Sequence, residues 1–122
     1  MKNHSSSARS LWIVQLAQCL SDKIIFQIRY WNGYAMRSVG RQLIRSADSV
    51  GANIVEGYGR HHTLDALRFY YISRSSLEET LFWLRRAVAR QWIEEQKGAQ
   101  LIEDYLKLAK SLQRFIQFHQ TN

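Results

Sequence analysis

The sequence predicts an all-α fold, an antiparallel up-down-up-down four-helix bundle. Apolar residues recur at three- and four-residue spacing in four long stretches, the breaks between them are short, and no stretch alternates with the two-residue period of a strand. A chain of 122 residues that is 46 % hydrophobic suits one domain with a genuine core. That domain is expected over residues 10–119, between a flexible leader at 1–9 and a tail at 120–122. Proline is absent, and the six glycines do not gather into a linker.

The first helix is expected from about Ser10 to Tyr30, marked by Trp12/Ile13, Leu16, Leu20, Ile24 and Ile28. Lys2 and Arg9 precede the apolar run Leu11 to Leu20, and Leu16-Ala17-Gln18-Cys19 superficially resembles a lipoprotein cleavage site. Gln18 is too large for the position before the cysteine, and Gln15 interrupts the run, so a bundle helix is the better reading. No uncharged run approaches the ~20 residues that span a bilayer, and no membrane partner is expected. The single cysteine, Cys19, excludes an intrachain disulfide and fits a cytoplasmic protein.

Trp31-Asn32-Gly33-Tyr34 marks the first break, with Asn-Gly as its turn signal. The second helix is expected over Met36 to Gly59, with Val39, Leu43, Val50 and Ile54 inward. His61-His62 form the connection, and Thr63 is the expected N-cap of the third helix, with Asp65 in its first turn. Leu67, Tyr70, Leu77, Leu81, Leu84 and Val88 follow a near-heptad pattern to about Arg90, interrupted at Arg74. A second stripe, Ala66, Phe69, Ser73, Ser76 and Thr80, is rich in small residues that permit close packing. The chain turns around Trp92, and a fourth helix follows over Glu94 to Phe118, with Leu101, Tyr105, Leu108, Leu112 and Phe115 inward.

A glutamate-rich bundle invites a di-iron site, which needs inward Glu-x-x-His pairs. None occurs: His4 and His119 lie near the termini, and His61-His62 sit in a turn. Cys-x-x-Cys, Gly-x-Ser-x-Gly and a phosphate-binding glycine loop are equally missing. No catalytic residue, metal or cofactor is expected, and the chain reads as a non-enzyme.

The most informative stretch is Arg45 to Arg60. Asn53, Glu56 and Arg60 share one helical face, while Ala47, Gly51, Ala52 and Gly57 offer close approach to neighbouring helices. Ser49-Val50-Gly51-Ala52-Asn53-Ile54-Val55-Glu56-Gly57-Tyr58-Gly59-Arg60 resembles a family signature that usually reads close to SIPANIAEGYGR, with Gly51 where proline is common. The family comprises four-helix-bundle proteins first named after intervening sequences in bacterial large-subunit ribosomal RNA. The resemblance continues through Tyr71-Ile72-Ser73-Arg74-Ser75-Ser76-Leu77-Glu78-Glu79 and is strong over residues 42–90. It implies a homopentameric ring. One branch supplies the accessory variability determinant of diversity-generating retroelements, which binds a reverse transcriptase and nucleic acid through a basic surface.

Asn53, Glu56, Arg74, Ser76 and Glu79 admit two roles. Glu56 and Glu79 could work as an acid–base pair. The favoured role is a structural polar network, with Glu56 bonded to Arg60 and with Asn53 and Ser76 satisfied across the helix interface.

The formal net charge is +7, from 17 Lys+Arg against 10 Asp+Glu, and 12 of the cations are arginines. Arginine suits bidentate contact with phosphate or carboxylate, and such a balance suggests a polyanion. Helix four distributes its charges as the helix dipole prefers, and Arg85, Arg86 and Arg90 partly serve as the cationic end of helix three. Arg37, Arg41 and Arg45 differ: they recur every four residues near the start of helix two, against like-charge repulsion and the dipole, at some tenths of a kcal/mol each. The expected function is therefore a basic, oligomeric accessory protein that binds RNA or DNA through Arg37, Arg41 and Arg45, helped by Arg60, Arg85, Arg86 and Arg90. The alternative is a homo-oligomeric scaffold that docks a protein without touching nucleic acid. Trp31, Tyr34 and Trp92 are candidates for stacking on bases.

Overall fold

The computed structural model describes residues 4–121, and these form four long helices with no strand among them. Helix α1 covers His4–Ile28. A single helical turn, Gly33–Ala35, and a π-helical segment, Met36–Gly40, lead into α2, Arg41–Tyr58. Helix α3 covers Thr63–Ala89 and α4 covers Glu95–Thr121. The principal contacts join α1 to α2, α2 to α3, α3 to α4 and α4 back to α1, the neighbour pattern of an antiparallel bundle. The α2–α3 seam is the most extensive and the α1–α4 seam the least.

The core is largely the set the periodicity selects, except that Trp12 is exposed, Leu16 and Val88 are half-buried, and Ala17 joins it. Ile13, Ala17, Leu20, Ile24 and Ile28 meet Leu43, Val50 and Ile54, with Tyr70, Leu77 and Leu84 and with Tyr105, Leu108, Leu112 and Phe115 closing the other sides. Rings stack through it, with Tyr70 against Phe115 at 4.8 Å and Phe115 against His119 at 4.3 Å between centroids.

The α2–α3 seam is built differently, from small residues and hydroxyls. Ser46, Ala66, Ser73, Ser76 and Thr80 are all buried. Each hydroxyl has a partner, as buried donors require. Ser73 donates to the Val50 carbonyl at 2.6 Å. Thr80 donates to the Ser76 carbonyl at 2.9 Å and shares a bond of 2.9 Å with the Ser46 hydroxyl. Ser49 and Ser76 share another at 2.8 Å. At the far end of the seam Gly57 is required by contact. A Cβ there would stand 2.6 Å from the Tyr70 ring and 2.9 Å from the Ala66 carbonyl oxygen.

Element ends depart from expectation in instructive ways. Helix α1 begins at His4, so residues 4–9 of the expected leader are helical; residues 1–3 and 122 lie outside the described residues. Helix α4 runs through Thr121. Asn32-Gly33 does form the first turn, and Gly33 has a φ of +54°, the left-handed region glycine favours. Thr63 is the first residue of α3, not its cap; His62 holds the extended N-cap conformation, with no side-chain cap bond. The π segment was not legible as such, since the four-residue step from Val39 to Leu43 fits an α turn and a single π turn alike. Ala52 faces solvent, so of the four small residues in the signature only Ala47, Gly51 and Gly57 serve packing.

Helix α3 ends in a Schellman motif. The Trp92 amide donates to the Ala87 carbonyl and the Gln91 amide to the Val88 carbonyl, both at 2.9 Å. The residue between helix and turn is Gln91, at a φ of +62°, where glycine is usual.

Three outcomes are expected in chemical denaturation. Gly57→Ala should cost about 2–3 kcal/mol, because the new methyl meets a backbone oxygen that cannot retreat. Gly51→Ala should instead gain up to about 1 kcal/mol, since its Cβ would find Ala17 at an ordinary 3.6 Å. Gln91→Gly should gain about 1 kcal/mol by releasing left-handed strain. A pH dependence is also expected at the alkaline end. Burial pushes the Tyr70 hydroxyl up to about 12, and burial, followed by the nearby Asp48 charge, raises Tyr105 as well. A folded-state pKa above the unfolded value of 10 leaves stability intact below pH 10 and erodes it as pH rises from 10 towards 12. The part of the tyrosinate absorbance contributed by Tyr70 and Tyr105 should therefore rise together with loss of helicity, not before it.

Candidate nucleic-acid interface

Antiparallel packing brings the start of α2 beside the end of α3, and this gathers arginines from both. The seam fixes the register: Ser46 lies opposite Thr80 and Ser49 opposite Ser76. One residue before Ser46, Arg45 reaches across to Glu79, forming a salt bridge and also donating to Gln42 at 2.8 Å. From that crossing both helices run towards the same end of the bundle. On α3 the stripe continues through Trp83, whose indole N–H lies 3.4 Å from Glu79, to Arg86 and Arg90, at helical spacings of three and four residues. On the facing side it continues through Arg41 of α2 and Arg37 of the π-helical segment before it. Arg37, Arg41, Arg86 and Arg90 are all exposed. None of the four forms an ion pair among the described residues.

Aromatic rings occupy the tip. Trp92 packs edge-on against Trp31 at 5.7 Å and against Tyr34 at 6.1 Å. The Arg90 guanidinium lies over Trp92, 5.2 Å from its centroid, a cation–π distance. The Schellman turn directs Trp92 back onto this cluster. Trp31 and Trp92 are half-buried, whereas Tyr34 is 66 % exposed. Two acidic residues, Glu94 and Glu95, stand at this end, at the start of α4.

The helix dipole bears less on these cations than their sequence positions imply. Helical backbone begins at Gly33, ahead of Arg37, so neither Arg37 nor Arg41 stands at an open helix N-terminus. The dipole acts mainly over the first turn. Arg45 is compensated within the chain by Glu79. What remains unusual is the convergence of cations from two helices on one end.

The other expected positions fall elsewhere. Arg60 sits at the far end of α2, bonded to Glu56 at 2.6 Å, 3.8 Å from Asp65 and over the Phe69 ring at 4.5 Å; it staples α2 to the start of α3. Arg85 is exposed but one residue off the Arg86 stripe. Asn53 donates to the Ser49 carbonyl and hydroxyl at 2.9 and 2.8 Å, and through Ser49 connects to Ser76. Arg74 turns to the opposite side of α3, where it donates to Gln113 of α4 at 3.1 Å and overlies Tyr71. The expected polar set is thus several separate contacts. Glu56 and Glu79 in particular do not meet: Arg45, the partner of Glu79, precedes Glu56 by roughly 16 Å of helix at 1.5 Å per residue.

Sequence reasoning missed the cross-helix partner of Arg45 and the role of Gln91. The first was detectable only through the register of two helices, and the second gave no signal because no glycine marked the cap. Among the described residues no group of three His, Cys, Asp or Glu gathers to hold a metal. No helix among them is long and apolar enough to cross a membrane. A groove of about 700 Å³ runs on the opposite face, between α1 and α4. Its charges are mixed, with Asp22 and Asp104 beside Lys23 and Lys97, so it does not match a phosphate chain.

Comparison with known proteins supplies the lineage. The model of a family described as 23S rRNA-intervening sequence protein matches residues 9–114. A crystal structure of a protein with unknown function from the S23 ribosomal protein family of Bacteroides thetaiotaomicron superposes with a TM-score of 0.67 at 21 % identity, covering 91 % of this chain and 97 % of that one. At that identity the likeness establishes the fold. No curated protein matches the chain.

Proposed function

The chain belongs to the 23S rRNA-intervening sequence protein family, and from that premise we propose that it is a non-catalytic accessory protein that binds the phosphate backbone of nucleic acid at its basic end. The observation that carries this reading is the convergence of Arg37, Arg41, Arg86 and Arg90 from two helices without acidic partners among the described residues. Arg45 contributes less, because Glu79 already neutralises it. Arg60 is left out, since it staples α2 to α3. A homopentamer, as the family resemblance implies, would multiply the +7 charge of each protomer and make phosphate binding multivalent.

A second reading draws on the opposite face. Trp12, Cys19 and Phe26 recur every seven residues along α1, and Trp12 and Phe26 are 53 % and 57 % exposed. Phe26 borders the α1–α4 groove. A scaffold that docks a protein, such as a reverse transcriptase, would use this apolar stripe and leave the arginines idle.

Fluorescence polarisation against mixed-sequence RNA separates the two. Four neutralised phosphates imply that affinity falls roughly 50-fold between 50 and 200 mM salt for a single strand. Arg41→Glu with Arg86→Glu should weaken binding by at least about tenfold and flatten the salt slope by roughly 1.4 units, about 0.7 for each phosphate no longer neutralised on a single strand. Arg114→Glu, on the exposed side of α4, should change affinity by less than about twofold, well below the effect of removing an arginine that grips a phosphate. Affinity indifferent to salt, or equal weakening in both variants, would remove the phosphate reading. A partner captured after nuclease treatment and absent with Phe26→Ser would favour the scaffold.

A further inference from the structure

We infer that the basic end is built for single-stranded nucleic acid, whose unpaired bases stack on Tyr34 and Tyr30 while the neighbouring arginines hold its phosphates. The inference rests on the phosphate-binding reading and adds the class of strand. Its ground is the arrangement of rings and guanidinium groups around the α1–α2 turn. Tyr30 is 82 % exposed and Tyr34 66 % exposed, so neither ring is used up by the core. A tyrosine offers a partner an apolar face together with a polar hydroxyl. The two flank Trp31-Asn32-Gly33, a turn held by the positive φ of Gly33 and by the Trp31 amide donating to the Ile28 carbonyl at 2.9 Å.

Each ring is supported. Tyr34 stands edge-on to Trp92 at 80°, and its backbone is pinned by the Ser38 hydroxyl donating to its carbonyl at 2.6 Å. Tyr30 carries the Arg29 guanidinium 4.6 Å from its centroid. Arg90 on Trp92 repeats the pairing of cation and ring. Exposed rings held in place beside cations are the arrangement that single strands recognise, because every base presents a face to stack and every linkage a phosphate to pair. A duplex keeps its bases stacked inside and offers these rings nothing.

The test compares three labelled probes of equal length on the full chain at one salt concentration: oligouridylate, an abasic strand and a duplex. Oligouridylate should bind at least about tenfold more tightly than the abasic strand, the scale of stacking on one ring, and more if both rings are used. Tyr30→Ala with Tyr34→Ala should abolish that difference while leaving abasic binding and its salt slope unchanged, and the paired Tyr→Phe changes should preserve it. If abasic strand and duplex bind as tightly as oligouridylate, with steep salt dependence, stacking is refuted and phosphate binding stands. If no probe binds in a salt-dependent way, both fall together.

Discussion

The close approach of α2 and α3 is the constraint on which the rest of the molecule depends. Packed helices usually sit about 8–10 Å apart, according to the side chains between them. Here those side chains are Ser46, Gly57, Ala66, Ser73, Ser76 and Thr80, so the backbones can come together and the hydroxyls can find each other. A buried hydroxyl without a partner costs about 1–3 kcal/mol. Sliding α2 along α3 would strand several at once, whereas a seam of aliphatic side chains would tolerate some adjustment. The hydroxyl pairs therefore set register as well as contributing stability. Register in turn decides which charges meet: it puts Arg45 against Glu79 and leaves Arg41 and Arg86 beyond the last acid of the seam.

Charge at the basic end is tolerable because each penalty is small and local. Like charges four residues apart on a helix repel by a few tenths of a kcal/mol. The cations at the end of α3 are favoured by its dipole, and those of α2 lie inside continuous helical backbone that starts at Gly33. Arg90 gains further from its place over Trp92. A marginally stable domain can carry such a patch, since none of these effects approaches the loss expected from a single buried clash. Strain at Gln91 belongs to the same account. Its left-handed conformation costs stability but completes the turn that folds Trp92 back onto Trp31 and Tyr34.

Much of the fold was legible because hydrophobic periodicity survives in a sequence without proline. Leu43, Val50 and Ile54, or Leu101, Tyr105 and Leu108, can be read inward from spacing alone, and the Asn32-Gly33 turn announces itself. The candidate site was legible only as a composition of arginines. Spacing along one helix put Arg37, Arg41 and Arg45 together, but Arg45 is answered by Glu79 on another helix, 34 residues later. Arg74 had no single-helix signature separating the α2 side of α3 from the α4 side, yet one turn decides whether it meets Asn53 or Gln113. The π segment and the Gln91 turn were hidden for a related reason. Both are backbone solutions imposed by packing, and neither uses the residue that normally signals it.

The signature stretch that identifies the family performs structural work nearly residue by residue. Asn53 is spent on Ser49, Glu56 on Arg60, Arg60 on Asp65 and Phe69 as well, and Gly57 on the contact with Tyr70. These interactions close the hairpin of α2 and α3 at the end away from Arg37 and Arg90. The motif therefore explains why the chain folds as its relatives do. Under the proposed reading, family membership and function are written in different parts of this molecule. The first lies in the hairpin that builds the seam. The second is to be sought at the opposite end, where the seam runs out and guanidinium groups and open tyrosine rings face water.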